Sequence, residues 1–346
     1  MQIPGEALLS KLWETLADKA IGNLLKPWQI RREGRANLDV KRAELIILAQ
    51  AERDAEAIRR GVMHLSGYQA TDQPLLLPTS VEPTASWGDN ATRVQSEATI
   101  EPRALAAASS AAQADVLRRE VNVARAILHA EEALESDPHV PAGDTPSNDW
   151  IYRWRDYAAS VSSEELQLLW GRVLAGEVKA PGAYSVRFLN FLHNLDKGEA
   201  KLIAQAMPFV IDDFICSEAK EQLERSGLNF GNLLVLQELG LITGVEGLGL
   251  SKQFSTPPGQ NFRMLIQSHD LALGFTANDG VSSLKIPAYI VTTLGRQLVR
   301  LGCFRTDREY LRTVGGSIKK QGFKVELGTP ISHQDGKKSL EDLEVL

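Results

Sequence analysis

Residues 149–195, DWIYRWRDYAASVSSEELQLLWGRVLAGEVKAPGAYSVRFLNFLHNL, constrain this chain more than any other stretch, because almost every signal in them concerns helix packing. Trp150, Trp154 and Tyr157 fall at i, i+4 and i+7, the spacing of one helical face carrying an unusually large apolar load. Ser162, with Glu165 three residues later, reads as an N-cap and capping box opening the next helix. On that helix Leu166, Leu169, Trp170, Val173 and Leu174 recur at three- and four-residue steps, which predicts a buried stripe. Gly176 reads as its C-cap and Pro181-Gly182 as a turn. Ser185 then opens a helix bearing Phe188, Leu189, Leu192 and Leu195, so the two helices are expected to form an αα-hairpin. Gln167 and Glu177 are its notable polar positions. If Gln167 is buried it requires hydrogen-bond partners, and it would then tie the hairpin to the long helix that precedes it.

The flanking sequence predicts an elongated helical organisation. Residues 6–25 form an amphipathic helix through Leu9, Leu12, Trp13, Leu16, Ile21, Leu24 and Leu25, with Pro27 ending it. A charged, alanine-rich helix over 29–63 follows, with an imperfect heptad that suits either a dimeric coiled coil or an antiparallel pair within the chain. Residues 1–69 are therefore expected to be a helical arm. Residues 70–102, with four prolines and many threonines and serines, are expected to be a flexible linker. The return helix, 103–135, carries its seam on Val116, Val123, Ile127, Ala130 and Leu134, and 103–210 forms a central helical domain.

From residue 211 the composition shifts toward glycine, threonine and aromatic residues. A helix is expected over 214–223 and another ending at Gly240, followed by a short strand. Further strands are expected near 261–267, 271–276 and 284–291, with Thr292 or Thr293 capping a helix through TTLGRQL. A last helix on Tyr310, Val314 and Ile318 ends at Gly322, and Phe323, Val325 and Leu327 alternate as a strand. This order makes 211–330 a smaller mixed α/β, winged-helix-like domain, and 331–346 is expected to be a disordered tail. The fold class is thus mainly α, with an extended helical arm, a helical central domain and a mixed C-terminal domain.

The run VSSEELQLLWGRVLAGEVKAPGAYSVRFL, preceded by the acidic-tryptophan pair Asp149-Trp150, resembles an uncharacterised bacterial family, a domain of unknown function with a VSDEEMQ, LWARILAGE, PGSFS series. KPWQIRR at 26–32, LQELGLI at 236–242 and TTLGRQL at 292–298 extend the resemblance over most of the chain. It implies no established activity. Here Gly171 stands where the family pattern has alanine, and 70–115 is rich in proline, serine and alanine where a charged helix would be expected.

A net charge of −6 argues against general polyanion binding by the whole chain, yet two segments are locally basic. Between 26 and 42, six cations face two carboxylates. Lys26, Trp28, Arg31, Arg32 and Arg35 could meet anionic lipid or phosphate, although a solvated helix face explains them as well. Between 296 and 324, eight cations face two carboxylates. Arg296, Arg300, Arg305, Arg308, Arg312, Lys319 and Lys320 are the candidates for nucleic-acid contact there. Cys216 and Cys303 stand far apart without a CxxC context, which favours a reducing, cytoplasmic setting. No catalytic residues, metal ligands, cofactor or small-molecule substrate are assigned. His129 and Glu132 lie at i, i+3 without a further ligand; Asp149, Asp156, Glu164, Glu165 and Glu177 could hold magnesium for a hydrolase, but capping and surface solvation explain most of them equally well. Three roles follow: a non-enzymatic interaction or regulatory protein that self-assembles through its arm, a DNA-binding regulator using 296–324, and a peripheral membrane effector using 6–35. The partners expected are a second copy, another protein, nucleic acid or a membrane surface.

Overall fold

Helix and strand signals give way to each other along the chain, and a computed structural model divides it into two units, Met1–Lys179 and Ala180–Leu346. It describes residues 5–18, 102–135, 137–247, 249–257, 260–277, 283–302, 304–332 and 338–346, with isolated positions at 21 and between 50 and 60. The expected linker, most of the charged arm helix, and Lys26, Trp28, Arg31, Arg32 and Arg35 lie outside the described residues. Among the described residues no helix is long and apolar enough to cross a membrane. The expected domain limit at residue 210 falls inside the second unit.

The first unit is helical. Helices α1 (Glu6–Asp18), α2 (Pro102–Glu135), α3 (Asn148–Ser160) and α4 (Glu164–Lys179) surround one core. α2 is the spine against which α1, α3 and α4 all pack. Its second half is buried on nearly every side through Val123, Ile127, Ala130 and Leu134, four of the five expected seam residues. Val116, the fifth, is 61% exposed. From α1, Leu8, Leu12 and Leu16 enter the core with no exposed surface. From α3, Trp150 and Trp154 do the same, and Ser147 caps the helix by accepting from the Trp150 N–H at 3.4 Å.

Three local expectations for α4 need correction. The helix starts at Glu164, so the N-cap position belongs to Ser163, while the Ser162 hydroxyl accepts from Asn122 at 3.3 Å. Leu166 is 43% exposed and Gln167 takes the inward position beside it. Gly176 does not end the helix, which runs on to Lys179 because Glu177 and Val178 are buried. Packing overrides the intrinsic cost of an interior glycine here.

The second unit opens with a β-turn. The Ala183 N–H donates to the Ala180 carbonyl at 2.9 Å, with Pro181 and Gly182 at the central positions and Gly182 at φ 85°. That is the pairing a type II turn requires. Helix α5 (Val186–Asn194) follows, capped by Ser185, which accepts from the Phe188 N–H at 3.1 Å. The expected αα-hairpin is thus divided between units, α4 ending the first and α5 opening the second. The Ser185 hydroxyl also donates to Gln297 at 3.0 Å, which ties α5 into the second unit. Helix α6 (Lys197–Ala206) carries a complete capping box between Asp196 and Glu199.

Strand β1 (Phe214–Cys216) replaces the helix expected over 214–223. All three of its residues are buried and pair antiparallel with β6, so cross-strand packing decides the conformation. Two short helices follow, α7 (Lys220–Arg225) and α8 (Phe230–Glu238), then β2 (Ile242–Thr243) and β3 (Leu250–Ser255). Strands β4 (Phe262–Ser268) and β5 (Leu271–Ala277) form a hairpin, and β6 (Ser283–Val291) returns. β6 pairs with β1, β2 and β3 in one antiparallel sheet. Helix α9 (Thr293–Leu301) is capped by Thr292, and α10 (Arg308–Lys320) by Asp307.

The second sheet has the order β4-β5-β7-β8, where β7 is Lys324–Ser332 and β8 is Lys338–Val345. β8 corrects the expectation of a disordered tail after residue 330. Its charged residues read as a solvated end of chain, but the edge of β7 supplies partners from Ser332↔Lys338 to Glu326↔Val345, with one register shift between Leu327 and Thr329. Phe262, Phe275 and Phe323 form the aromatic centre beneath this sheet, with Phe262 and Phe323 centroids 5.0 Å apart, edge to face.

Candidate functional site

The basic segment 296–324 resolves into separate surfaces. Arg296 and Arg300 lie four residues apart on α9, and Arg296 donates to the Val291 carbonyl and the Thr293 hydroxyl, at 3.4 and 3.1 Å. Arg305 is exposed in the connection to α10. Arg308, Arg312 and Lys319, at intervals of four and seven, fall along one face of α10. Lys320 points elsewhere and lines a cleft. Three of the seven predicted residues are therefore brought together.

The face they share is already engaged. Arg312 makes a two-pronged contact with Glu344 of β8, Nε to Oε1 at 2.8 Å and Nη2 to Oε2 at 3.0 Å. Arg308 adds a bond to Oε2 at 2.9 Å. Lys319 donates to the Leu346 carbonyl at 2.7 Å, and the Leu346 N–H donates to Val325 at 3.1 Å. Hydrogen bonds from Arg312 and then Arg308 hold the Glu344 carboxyl below its usual range. Arg312 is raised in return, first by the same hydrogen bond. Glu344 carried no signal in the sequence as a site residue, because its partners are 32 and 36 positions away.

The cleft beside α10 has a volume of about 560 Å³ and is lined by Cys216, Glu218, Thr313, Ser317 and Lys320 among others. Its chemistry is quiet. Burial pushes the Cys216 thiol up to about 11, against backbone N–H groups of Glu218 and Ala219 that lower it, so the nucleophilic thiolate is not formed at neutral pH. The Cys216 N–H donates to the buried Tyr310 hydroxyl at 2.7 Å, and burial raises that phenol well above its ordinary value. Ser317 donates to Glu218, and Gln222 donates to Thr313 at 2.8 Å. These bonds fasten α10 to β1 and α7. Among the described residues no three His, Cys, Asp or Glu side chains are grouped as a ligand set, and His129 lies 3.8 Å from Glu132.

The expected structural residues of the first unit fall in one buried layer. The Trp154 indole N–H donates to the Trp170 carbonyl at 2.9 Å, and the Tyr157 ring lies 5.7 Å from that of Trp170. Gln167, 1% exposed, donates to Asn122 Oδ1 at 3.2 Å and to the Val161 carbonyl at 3.3 Å. Asn122 in turn donates to the Ala159 carbonyl at 2.9 Å. Gln167 thus joins α4 to α2, as its burial would demand. Glu131 accepts from the Trp13 indole at 3.1 Å, and Lys11 reaches the carbonyls of Ala142 and Asp144 in the loop before α3. Glu177 is buried on the same helix as Gln167. Pro181 and Ser185 serve the turn and cap described above.

The apolar face of α1, required by a membrane-surface role for residues 6–35, is spent on this core, since Leu8, Leu12 and Leu16 lie against α2 and α4.

With these positions fixed, residues 108–213 match a family described as a protein of unknown function (DUF2806). The match runs from α2 to the residue before β1, covers under a third of the chain and contains the 149–195 stretch. It does not reach 26–32, 236–242 or 292–298, where the resemblance was read to extend. No curated protein matches the chain, and no solved structure does.

Proposed function

We propose that this protein is a non-enzymatic interaction or regulatory protein, and that its second unit is a winged-helix-like module turned to protein recognition. The order β1, α7, α8, β2, β3, β6, α9, with β6 between β1 and β2, supports the winged-helix comparison. The β4–β5 hairpin would then be an insertion within the wing. In that comparison α8 is the helix offered to a partner, and it carries no lysine or arginine. A helix that meets a phosphate backbone needs cations, so this surface suits protein better than nucleic acid.

One observation carries the reading. α8 is apolar on both faces: Leu233 and Leu236 are buried, while Phe230 is 60% and Val235 36% exposed on the outer side. A helix with large apolar residues on both faces is normally covered. Self-assembly through the arm, residues 1–69, remains part of the proposal, and Val116, 61% exposed on the first half of α2, is a further apolar position at which a second copy could be met. Point substitutions are used to test it, because truncation of the arm would also remove Leu8, Leu12 and Leu16 from the core.

The test is light-scattering chromatography of the full chain in low and moderate salt, with absorbance read at 260 and 280 nm. The expected result is a nucleic-acid-free oligomer that is weakened by Phe230→Asp with Val235→Asp, or by Val116→Asp, while circular dichroism stays unchanged. Co-purifying nucleic acid released by salt would replace this reading with the DNA-binding one.

A further inference from the structure

β8 is an edge strand of the second sheet. Among the described residues it pairs with β7 alone, its ladder slips between Leu327 and Thr329, and Asp342 adopts φ 50°, a left-handed conformation that few non-glycine residues take. Leu343 and Val345 are 53% and 78% exposed, which leaves Leu340 and Leu346 as its partly covered apolar residues. What does anchor it is a fitted seat. An added Cβ at Gly315 of α10 would lie 2.3 Å from Leu346 Cδ1, and one at Gly328 would lie 2.5 Å from the Glu341 carbonyl oxygen. Between these two points, Arg308 and Arg312 clasp the Glu344 carboxylate, and Lys319 holds the Leu346 carbonyl.

This combination is a receptor and a removable ligand on one chain. The receptor has a strand edge for backbone pairing, a guanidinium fork for one carboxylate, a cation for a carbonyl and a glycine socket for a leucine. The ligand is an extended acidic segment, Ser339-Leu340-Glu341-Asp342-Leu343-Glu344-Val345-Leu346. A segment of a second copy satisfies every one of those contacts by identity, which is the condition for exchange of an element between protomers. We propose that β8 is an exchangeable strand, and that two copies of this chain associate by each placing residues 338–346 on the other's β7 edge and α10 basic face. This deepens the self-assembly part of the proposed function, but it uses a surface distinct from α8 and from the arm. Substitutions at Phe230, Val235 and Val116 therefore leave it untouched, and the two ideas fail separately.

Charge complementation distinguishes exchange from a simple hairpin. The two full-length variants are Glu344→Lys and the pair Arg308→Glu with Arg312→Glu. Within each variant, the strand and its seat repel. Mixed together, the lysine of one copy meets the glutamates of the other, and the native glutamate meets the native arginines. The expected result is a one-to-one heterodimer, detected by energy transfer between separately labelled copies, with little association of either variant alone. The triple variant carrying all three substitutions should behave like the native chain. If the mixed variants stay apart while each keeps a native circular dichroism spectrum, the proposal is overturned.

Should either variant fold poorly, the milder Glu344→Gln keeps the question open to test. A labelled peptide of residues 338–346 should bind full-length Glu344→Gln about fivefold more tightly than the native chain, whose own strand competes better. Equal binding to both would refute exchange. So would a salt-sensitive gain of DNA binding by Glu344→Lys without heterodimer formation, which would assign the α10 face to a polyanion instead.

Discussion

Gln167 and Asn122 share a hydrogen bond of 3.2 Å inside the first unit; Gln167 also donates to the Val161 carbonyl, and Asn122 to the Ala159 carbonyl and the Ser162 hydroxyl. The pair joins α4 to α2 where both side chains are almost fully buried. Removing one member strands the polar atoms of the other, and a buried unsatisfied group costs about 1–3 kcal/mol. Gln167→Leu and Asn122→Leu should each lower stability by about that amount, whereas the double variant should lose less than the sum of the two. Urea denaturation of the four proteins of the cycle measures it. Additive losses would mean that the two amides act independently.

At Gly171 the helices α2 and α4 approach so closely that an added Cβ would stand 2.6 Å from His129 Cβ and 2.8 Å from the Ala126 carbonyl oxygen. Two of the three nearest atoms are backbone, which cannot swing aside. Gly171→Ala is therefore expected to destabilise by about 1–3 kcal/mol despite the higher helix propensity of alanine. A raised melting temperature in Gly171→Ala would show that the crossing opens freely.

Trp170 fills the centre of the same layer and lends its carbonyl to the Trp154 indole at 2.9 Å. Trp170→Ala should cost about 3–5 kcal/mol and reduce the yield of folded protein, with no selective change in binding. Trp154→Phe should cost less, since it gives up one bond while keeping most of the ring contact. Soluble, fully folded Trp170→Ala with altered binding would place Trp170 in a functional surface instead of the core.

The helices from α3 to α5 were legible because their signals are local: spacing of Trp150 and Trp154, the cap at Ser185, and the Pro181-Gly182 turn all act within a few residues. What escaped was set by distant partners. Gly176 looks like a C-cap until the burial of Glu177 and Val178 is known, and Phe214–Cys216 looks helical until β6 pairs with it. β8 was missed for the same reason, since the edge of β7 and the arginines of α10 hold it more than any pattern of its own. The seven candidate cations within 296–324 were countable in sequence, but their distribution over α9, α10 and the cleft depends on helix phase, and Glu344 could be found only from the fold.

Asp137 follows the end of α2 and closes that helix onto α4. Its carboxylate takes a bond from Lys179 at 2.7 Å, one from the His139 N–H at 3.0 Å, and one from the His139 ring. Burial pushes its pKa up, but these bonds, with the Lys179 charge, outweigh it and hold the group at about 2, against an ordinary 3.8. A carboxyl depressed in the folded state binds protons more readily when unfolded. Its contribution to stability is therefore complete above about 3.8 and is lost as the pH falls toward about 2. Acid titration of the native protein should accordingly show part of its loss of stability in that window. Asp137→Asn should be less stable than the native chain at pH 7, and the difference should shrink as the pH approaches 2. Lys179→Met should narrow the window from below by letting the Asp137 pKa rise. If native and Asp137→Asn denaturation midpoints run parallel from pH 7 to pH 2, the Lys179 and His139 contacts do not hold the helix ends together in solution.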